Sequence, residues 1–231
     1  MRKCYLVEYD TLEYRESLEL QKRIREIKEE NRDFSDFLLV LQHNPIFTIG
    51  KKGSRGDILV PEEMLKKEGI DILDVKRGGE VTYHGPGQLV GYLHLNLTRI
   101  NISVYQFVRK MEEVLIDLLK EYGIEGWRME GYPGVWINHQ GRKWKIAAIG
   151  ARASKMITSH GLALNVNTNM DHFRLIVPCG ITEYEPTSMK QVLTKTLDIN
   201  EIYKKFEKIY ERIFEMNLEK ISENKLEEML K

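Results

Sequence analysis

Two hydrophobic periods alternate along the chain. Near the start, "KCYLVEYD" mixes β-branched and aromatic residues in partial alternation, the pattern of a strand. Leu12, Leu18, Leu20, Ile24 and Ile27 then recur among charges at helical spacing, which predicts an amphipathic helix over Leu12 to Lys28. "DFLLVLQH" is an apolar run stopped by Asn44-Pro45, as expected of a buried strand, and "IFTIG" is a shorter one leading into the loop "KKGSRGD". Pro61 opens a short helix, "PEEMLKKEG", with acids in its first turn and glycine at its stop.

The middle of the chain predicts a strand in "GQLVGYLHLNL" and a helix from Val104 to Tyr122, whose apolar positions include Phe107, Met111, Val114, Leu115 and Leu118. Three strand-like segments follow, "GVWINH", "KWKIAAIGARAS" and "ITSHGLALNVN", and "HQGR" between the first two suits a hairpin turn. An antiparallel meander is therefore expected here. From Asn200 to Lys231 the helical pattern returns, carried by Ile202, Phe206, Ile209, Ile213 and Phe214. Hairpin strands among separated helices predict an α+β fold, with a mixed, largely antiparallel sheet flanked by helices. No repeat, low-complexity tract or linker interrupts the pattern, so one domain over residues 1–231 is expected.

Composition narrows the function classes. The 35 basic and 35 acidic residues cancel, which removes the long-range field of a general nucleic-acid binder. The N-terminus lacks the apolar core of a signal peptide, and no run of about 18 apolar residues suggests a membrane span. Two cysteines far apart in sequence, Cys4 and Cys179, give no disulfide pattern, so a cytoplasmic location with both thiols reduced is expected.

Four stretches hold the candidate chemistry. In "IVPCGI", Cys179 sits between proline and glycine, where a turn exposes backbone amides. The residues fit both a small buried turn thiol and a nucleophile, and the second role needs a cation or helix N-terminus nearby. "RGGEVTYHGPGQ" packs Arg77, Thr82, His84 and Gln88 among glycines, lacks the Gly-Lys-Ser/Thr ending of a phosphate loop, and fits either a hairpin loop or a ligand-facing one. In "KWKIAAIG", alternation sends Lys143 and Lys145 to one face and Trp144 and Ile146 to the other, while the Ala147-Ala148 pair and Gly150 leave room for a slim apolar slot. Lys145 is either a solvated hairpin charge or a partly buried base whose pKa falls on burial. "SHGLALNVN" adds His160, which with His84 is a possible partner for the thiol. No close pair of the C-x-x-C or H-x-x-x-H kind points to a metal.

Taken together and in order, "RGGEVTYHGPGQLVGYLHLNL", "GYPGVWIN", "KIAAIGARAS", "SHGLALNVN" and "IVPCGI" resemble the lipoyl(octanoyl) transferases, from "HNPIFTIGKKG" through "PTSM". The resemblance implies the fold of the biotin and lipoate protein ligase catalytic domain. It also implies an acyltransferase that passes octanoyl from octanoyl-acyl-carrier protein, through a cysteine thioester, to a lysine of lipoyl domains in 2-oxoacid dehydrogenases and the glycine-cleavage H protein. Cys179 then matches the nucleophile and Lys145 the residue that lowers its pKa and handles protons. The acyl slot is matched by Arg77, Gly78, Gly79, Glu80, Val81, Thr82, Tyr83 and His84, with Ala148, Ile149, Gly150, Gly161, Leu162 and Ala163, and His160 is an accessory position. No cofactor, metal, nucleic acid or membrane is implied. The neighbouring activities are an ATP-dependent lipoate-protein ligase and an amidotransferase working between lipoyl domains. Ser159 and "PTSM" depart from the family pattern close to the site, so chain-length preference is the property they bear on.

Overall fold

The computed structural model describes residues 2–177 and 184–231. Its first half contains β1 (Arg2–Thr11), α1 (Tyr14–Glu30), β2 (Asp36–Gln42), β3 (Ile46–Ile49), α2 (Glu62–Lys67), β4 (Asp71–Asp74), β5 (Val81–His84) and β6 (Gln88–His94). α3 (Val104–Lys120) leads into β7 (Gly126–Met129), β8 (Tyr132–His139), β9 (Arg142–Ile149), β10 (Arg152–Ser154), β11 (Ile157–Ser159) and β12 (Gly161–Asn165). β13 (Glu185–Pro186), α4 (Met189–Leu193), α5 (Ile199–Phe214), β14 (Met216–Lys220) and α6 (Glu223–Met229) follow.

Among the described residues the main sheet runs β14-β1-β2-β6-β12-β9-β8-β7, with β13 also paired to β9. β1 pairs parallel with β14 and β2, and β13 is parallel to β9. From β2 to β7 every pairing is antiparallel, which is the mixed, largely antiparallel sheet expected from the pattern. α3 and α5 cover one face. Phe107, Met111, Val114, Leu115 and Leu118 meet Phe206 and Tyr210 over Val135, Ile137, Ile146 and Leu164. Each such fully buried side chain contributes roughly 1.5–3 kcal/mol of transfer free energy. Ser103 caps α3 by accepting from the Gln106 amide, and the Gln106 side chain returns the bond in a capping box. On the other face α1 and α6 pack on Val7, Phe37, Leu39, Val90 and Tyr92, and the small sheet β4-β3-β5 carries its own core of Phe47, Ile49, Leu65, Val81 and Tyr83.

The turn at "HQGR" has the predicted hairpin form. His139 pairs with Arg142, and Gln140 and Gly141 both have positive φ (50° and 74°), as a two-residue turn with the twist of its strands requires. Elsewhere tertiary pairing overrides the local reading. Val81–His84 belongs to a strand inside a glycine-rich stretch because β3 supplies its hydrogen bonds. "ARAS" and "ITS" leave the meander to form their own hairpin, β10-β11. The C-terminal helical pattern breaks in two: Glu215 ends α5 in a left-handed conformation (φ 56°), and Met216–Lys220 pairs along the edge of β1. Met216 is buried there and Asn217 exposed, a strand alternation that a helical window averages away.

Candidate active site

β9 organises the site through a bulge. Val135 of β8 faces Ala147 and its neighbour Trp136 faces Lys145, so Ile146 is one residue too many for the ladder. Trp144 and Ile146 lie on the α3 side, as simple alternation predicts. The extra residue then resets the phase. Ala147 joins Ile146 in the α3 core, while Lys145 and Ala148 both line the cavity on the opposite face. The lysine Nζ lies 5.3 Å from the centroid of Trp136, within cation–π range. Its carbonyl accepts the Thr187 amide at 2.9 Å, which ties the strand to the chain just past residue 183.

The cavity is a slim slot between β9, β12 and the small sheet. It has two lobes that share Thr82, Lys145, Ala148 and Ala163. Gly50 to Lys52 clamp the glycine loop, with the Gly50 amide donating to the Glu80 carbonyl at 2.9 Å and Lys52 to Gly79 at 3.1 Å. A Cβ on Gly50 would stand 2.3 Å from the Gly79 oxygen, so only glycine permits this approach. Arg77 is 6% exposed; its guanidinium donates to Thr48 Oγ1, the Thr48 carbonyl and the Glu80 carbonyl at 2.7–3.0 Å. These bonds make Arg77 the pin of the loop as well as part of the wall.

Four aromatic or imidazole rings form the deep end: Tyr14, Tyr92, His84 and His160. His84 Nδ1 meets Gln88 Oε1 at 2.7 Å, and its ring stacks on Tyr14. Burial, with positive charge from neighbouring His43 and Arg77 second, holds His84 well below the ordinary histidine range. His160 is held in a left-handed conformation (φ 56°), and its amide donates to Gln21 Oε1 at 2.8 Å. Burial and then Arg77 push its pKa down to about 4, so the ring is neutral at pH 7. A neutral imidazole supplies no cation to stabilise a thiolate, and a base that weak takes protons poorly.

A polar chain closes the other lobe. Gln88 Nε2 donates to the Tyr83 carbonyl and, at 2.9 Å, to Asn165 Oδ1; Asn165 Nδ2 donates to the Thr187 carbonyl at 3.0 Å. The glycine-loop strand, β12 and the segment beginning at Tyr184 are thereby linked within reach of Lys145. Tyr184 lines this lobe and packs its ring on Trp136 at 5.3 Å.

The sequence-predicted residues thus fall into three groups. Arg77, Gly78, Gly79, Glu80, Thr82, His84, Lys145, Ala148, Ile149, Gly150, His160, Gly161, Leu162 and Ala163 border one cavity. Val81 and Tyr83 do not: alternation along β5 turns their side chains into the small sheet's core. Cys179 lies outside the described residues. Sequence reasoning missed Tyr14, Tyr92, Asn165 and Trp136 as cavity residues. Extending the inward phase of Gly161 and Ala163 by two finds Asn165, whereas Tyr14 comes from the start of α1 and has no local signal. Among the described residues no group of three His, Cys, Asp or Glu side chains could hold a metal ion, and no helix is long and apolar enough to cross a membrane.

Comparison with known proteins adds the chemistry's family. Residues 13–211 match the lipoyl protein ligase A/B catalytic domain. The octanoyltransferase of Caldicellulosiruptor saccharolyticus is 42% identical over 99% of this chain and 94% of its own length. That of Desulforamulus reducens is 39% identical over 99% and 98%. Among solved structures, the bi-partite lipoate protein ligase of Thermoplasma acidophilum superposes with a TM-score of 0.75 at 17% identity, covering 100% of this chain and 91% of its own. A lipoate-protein ligase A bound with ATP gives 0.74 at 16%, covering 100% and 92%. At those identities the structural likeness speaks for the fold.

Proposed function

Because the chain belongs to the octanoyltransferases of the lipoyl protein ligase A/B catalytic-domain family, we propose that it carries octanoyl from octanoyl-acyl-carrier protein to lipoyl-domain lysines through a thioester on Cys179. The coarser activity, acyl transfer of an octanoyl group in protein lipoylation, follows from the membership itself. The whole chain acts as one catalytic domain in the cytoplasm, and its acceptors are the lipoyl domains of 2-oxoacid dehydrogenases and the H protein.

The observation that carries the reading is Lys145 on the wall of a slot of small residues, beside Tyr184 and Pro186, which follow the Cys179 segment in the chain. In the first half-reaction Lys145 takes the thiol proton, the thiolate attacks the thioester carbonyl, and the carrier's phosphopantetheine thiolate leaves with that proton. In the second, the acceptor ε-amine attacks the enzyme thioester, gives its proton to Lys145, and forms an amide as the Cys179 thiolate departs. Thioester exchange conserves the activation of the acyl group, so no nucleotide is consumed. The slot between Ala148, Ala163 and the Arg77–Glu80 loop holds the eight-carbon chain, each buried methylene contributing about 0.8 kcal/mol.

The test offers a lipoyl domain and either octanoyl-acyl-carrier protein alone or octanoate with ATP. Transfer from the carrier protein alone is expected; transfer only from octanoate with ATP would make the chain a ligase. A marked preference for an octanoylated H protein as donor would make it an amidotransferase.

A further inference from the structure

The cavity side of the sheet is tied to a buried carboxylate on its other side. Gly134 of β8 pairs with Ala148, next to the bulge at Ile146. Its φ is +129°, a region that L side chains rarely adopt. A Cβ there would come within 2.4 Å of the Ala147 oxygen and 2.9 Å of Lys145 Cε. The first of these is backbone and has no room to give. Glycine at 134 therefore lets β8 run close under the lysine stem.

The Gly134 amide donates across to Glu112 Oε1 at 3.1 Å. Glu112 is 1% exposed on α3, and its other oxygen accepts from Arg109 Nη1 at 2.7 Å and Arg128 Nε at 3.2 Å. Two guanidinium groups compensate the buried charge, and the remaining oxygen is left to hold a single backbone amide. We propose that Glu112 and Gly134 are positioning residues for Lys145: the carboxylate fixes the β8 backbone, and the bare Cα leaves the lysine stem its course to the cavity. The proposal rests on the reading of Lys145 as the proton carrier.

A double-mutant cycle tests it. Single-turnover octanoylation by octanoyl-acyl-carrier protein is followed by intact mass from about pH 6 to about pH 9, with thermal melting confirming that each variant folds. Gly134→Ala is expected to slow acylation by about tenfold or more and to displace the pH profile, since small misplacements of a reacting group carry such losses. In a Lys145→Ala background the same change is expected to cost less than about twofold, because the group it positions is gone. Glu112→Ala, which removes the oxygen that holds the Gly134 amide, is expected to follow Gly134→Ala. If Gly134→Ala does not fold, Glu112→Ala takes its place in the cycle. An undiminished loss without Lys145, or no loss with it, overturns the proposal and leaves the proton-carrier reading standing. A Lys145→Ala enzyme as fast as wild type overturns both.

Discussion

Arg77 and Thr48 are joined twice at the side-chain level, Nε and Nη2 reaching the Thr48 hydroxyl at 3.0 and 2.9 Å, with the Thr48 carbonyl a further acceptor. Thr48 is fully buried, so the pair fixes a guanidinium beneath the glycine loop. Thr48→Val keeps the shape and removes the hydroxyl. It is expected to cost about 1–3 kcal/mol, because buried donors lose their acceptor. A shift of the urea midpoint with a raised KM for the acyl donor would confirm it; unchanged midpoint and KM would show that the loop keeps its form without Arg77's anchor.

Ala148 and Ala163 face each other across β9 and β12 and border both lobes of the slot. Ala148→Leu fills space that two or so methylenes of substrate would occupy. At about 0.8 kcal/mol per methylene the preference for octanoyl over hexanoyl donors is expected to fall by about tenfold. Competition between the two donors, read by mass, measures the ratio directly. An unchanged ratio would place the acyl chain elsewhere.

Lys145 and His160 border one cavity, and as candidate bases they are separated by their chemistry. Lys145→Ala is expected to slow acylation by about tenfold or more, with the largest deficit on the acid side, where thiolate is scarcest. His160→Asn, which tolerates the left-handed backbone, is expected to leave the rate within a few-fold of wild type. Rate–pH profiles of the two variants decide, and a dead His160→Asn beside an active Lys145→Ala would exchange their roles.

Burial sets the acid stability. His94 has no hydrogen-bond partner for either ring nitrogen among the described residues, and burial, then Lys28, push its pKa down to about 3. His43 and His160 lie near 4, mainly through burial. An unfolded histidine titrates near 6.5, so between about pH 6.5 and these values the unfolded chain binds more protons than the folded one. Stability therefore falls as pH drops through that window. His94→Leu is expected to raise stability at pH 7 by about 1–3 kcal/mol and to flatten the acid slope. Urea midpoints at about pH 7 and about pH 5 check both parts.

Much of this arrangement is legible in the sequence. The strand at Arg2–Thr11, the helix at Val104–Lys120 and the hairpin at Gln140-Gly141 each carry a strong local signal, a period or a turn pair. The pieces that were not legible depend on partners distant in sequence. β14 is a strand because the edge of β1 stands beside it, and Val81–His84 because β3 does. The cavity wall was readable for the same reason that Val81 and Tyr83 were misplaced: motif resemblance marks a continuous stretch, and a strand presents only alternate side chains to one face. The bulge at Ile146, which brings Lys145 and Ala148 to the same wall, has no sequence signature that alternation would reveal.

The role proposed for Cys179 is to carry the acyl group. The pure protein is mixed with octanoyl-acyl-carrier protein in the absence of ATP, and its intact mass is recorded before any acceptor is added. One octanoyl group on the wild-type chain, absent from Cys179→Ala and discharged by a lipoyl domain, is the predicted result. No adduct on the wild-type chain, or one that persists in Cys179→Ala, would contradict it.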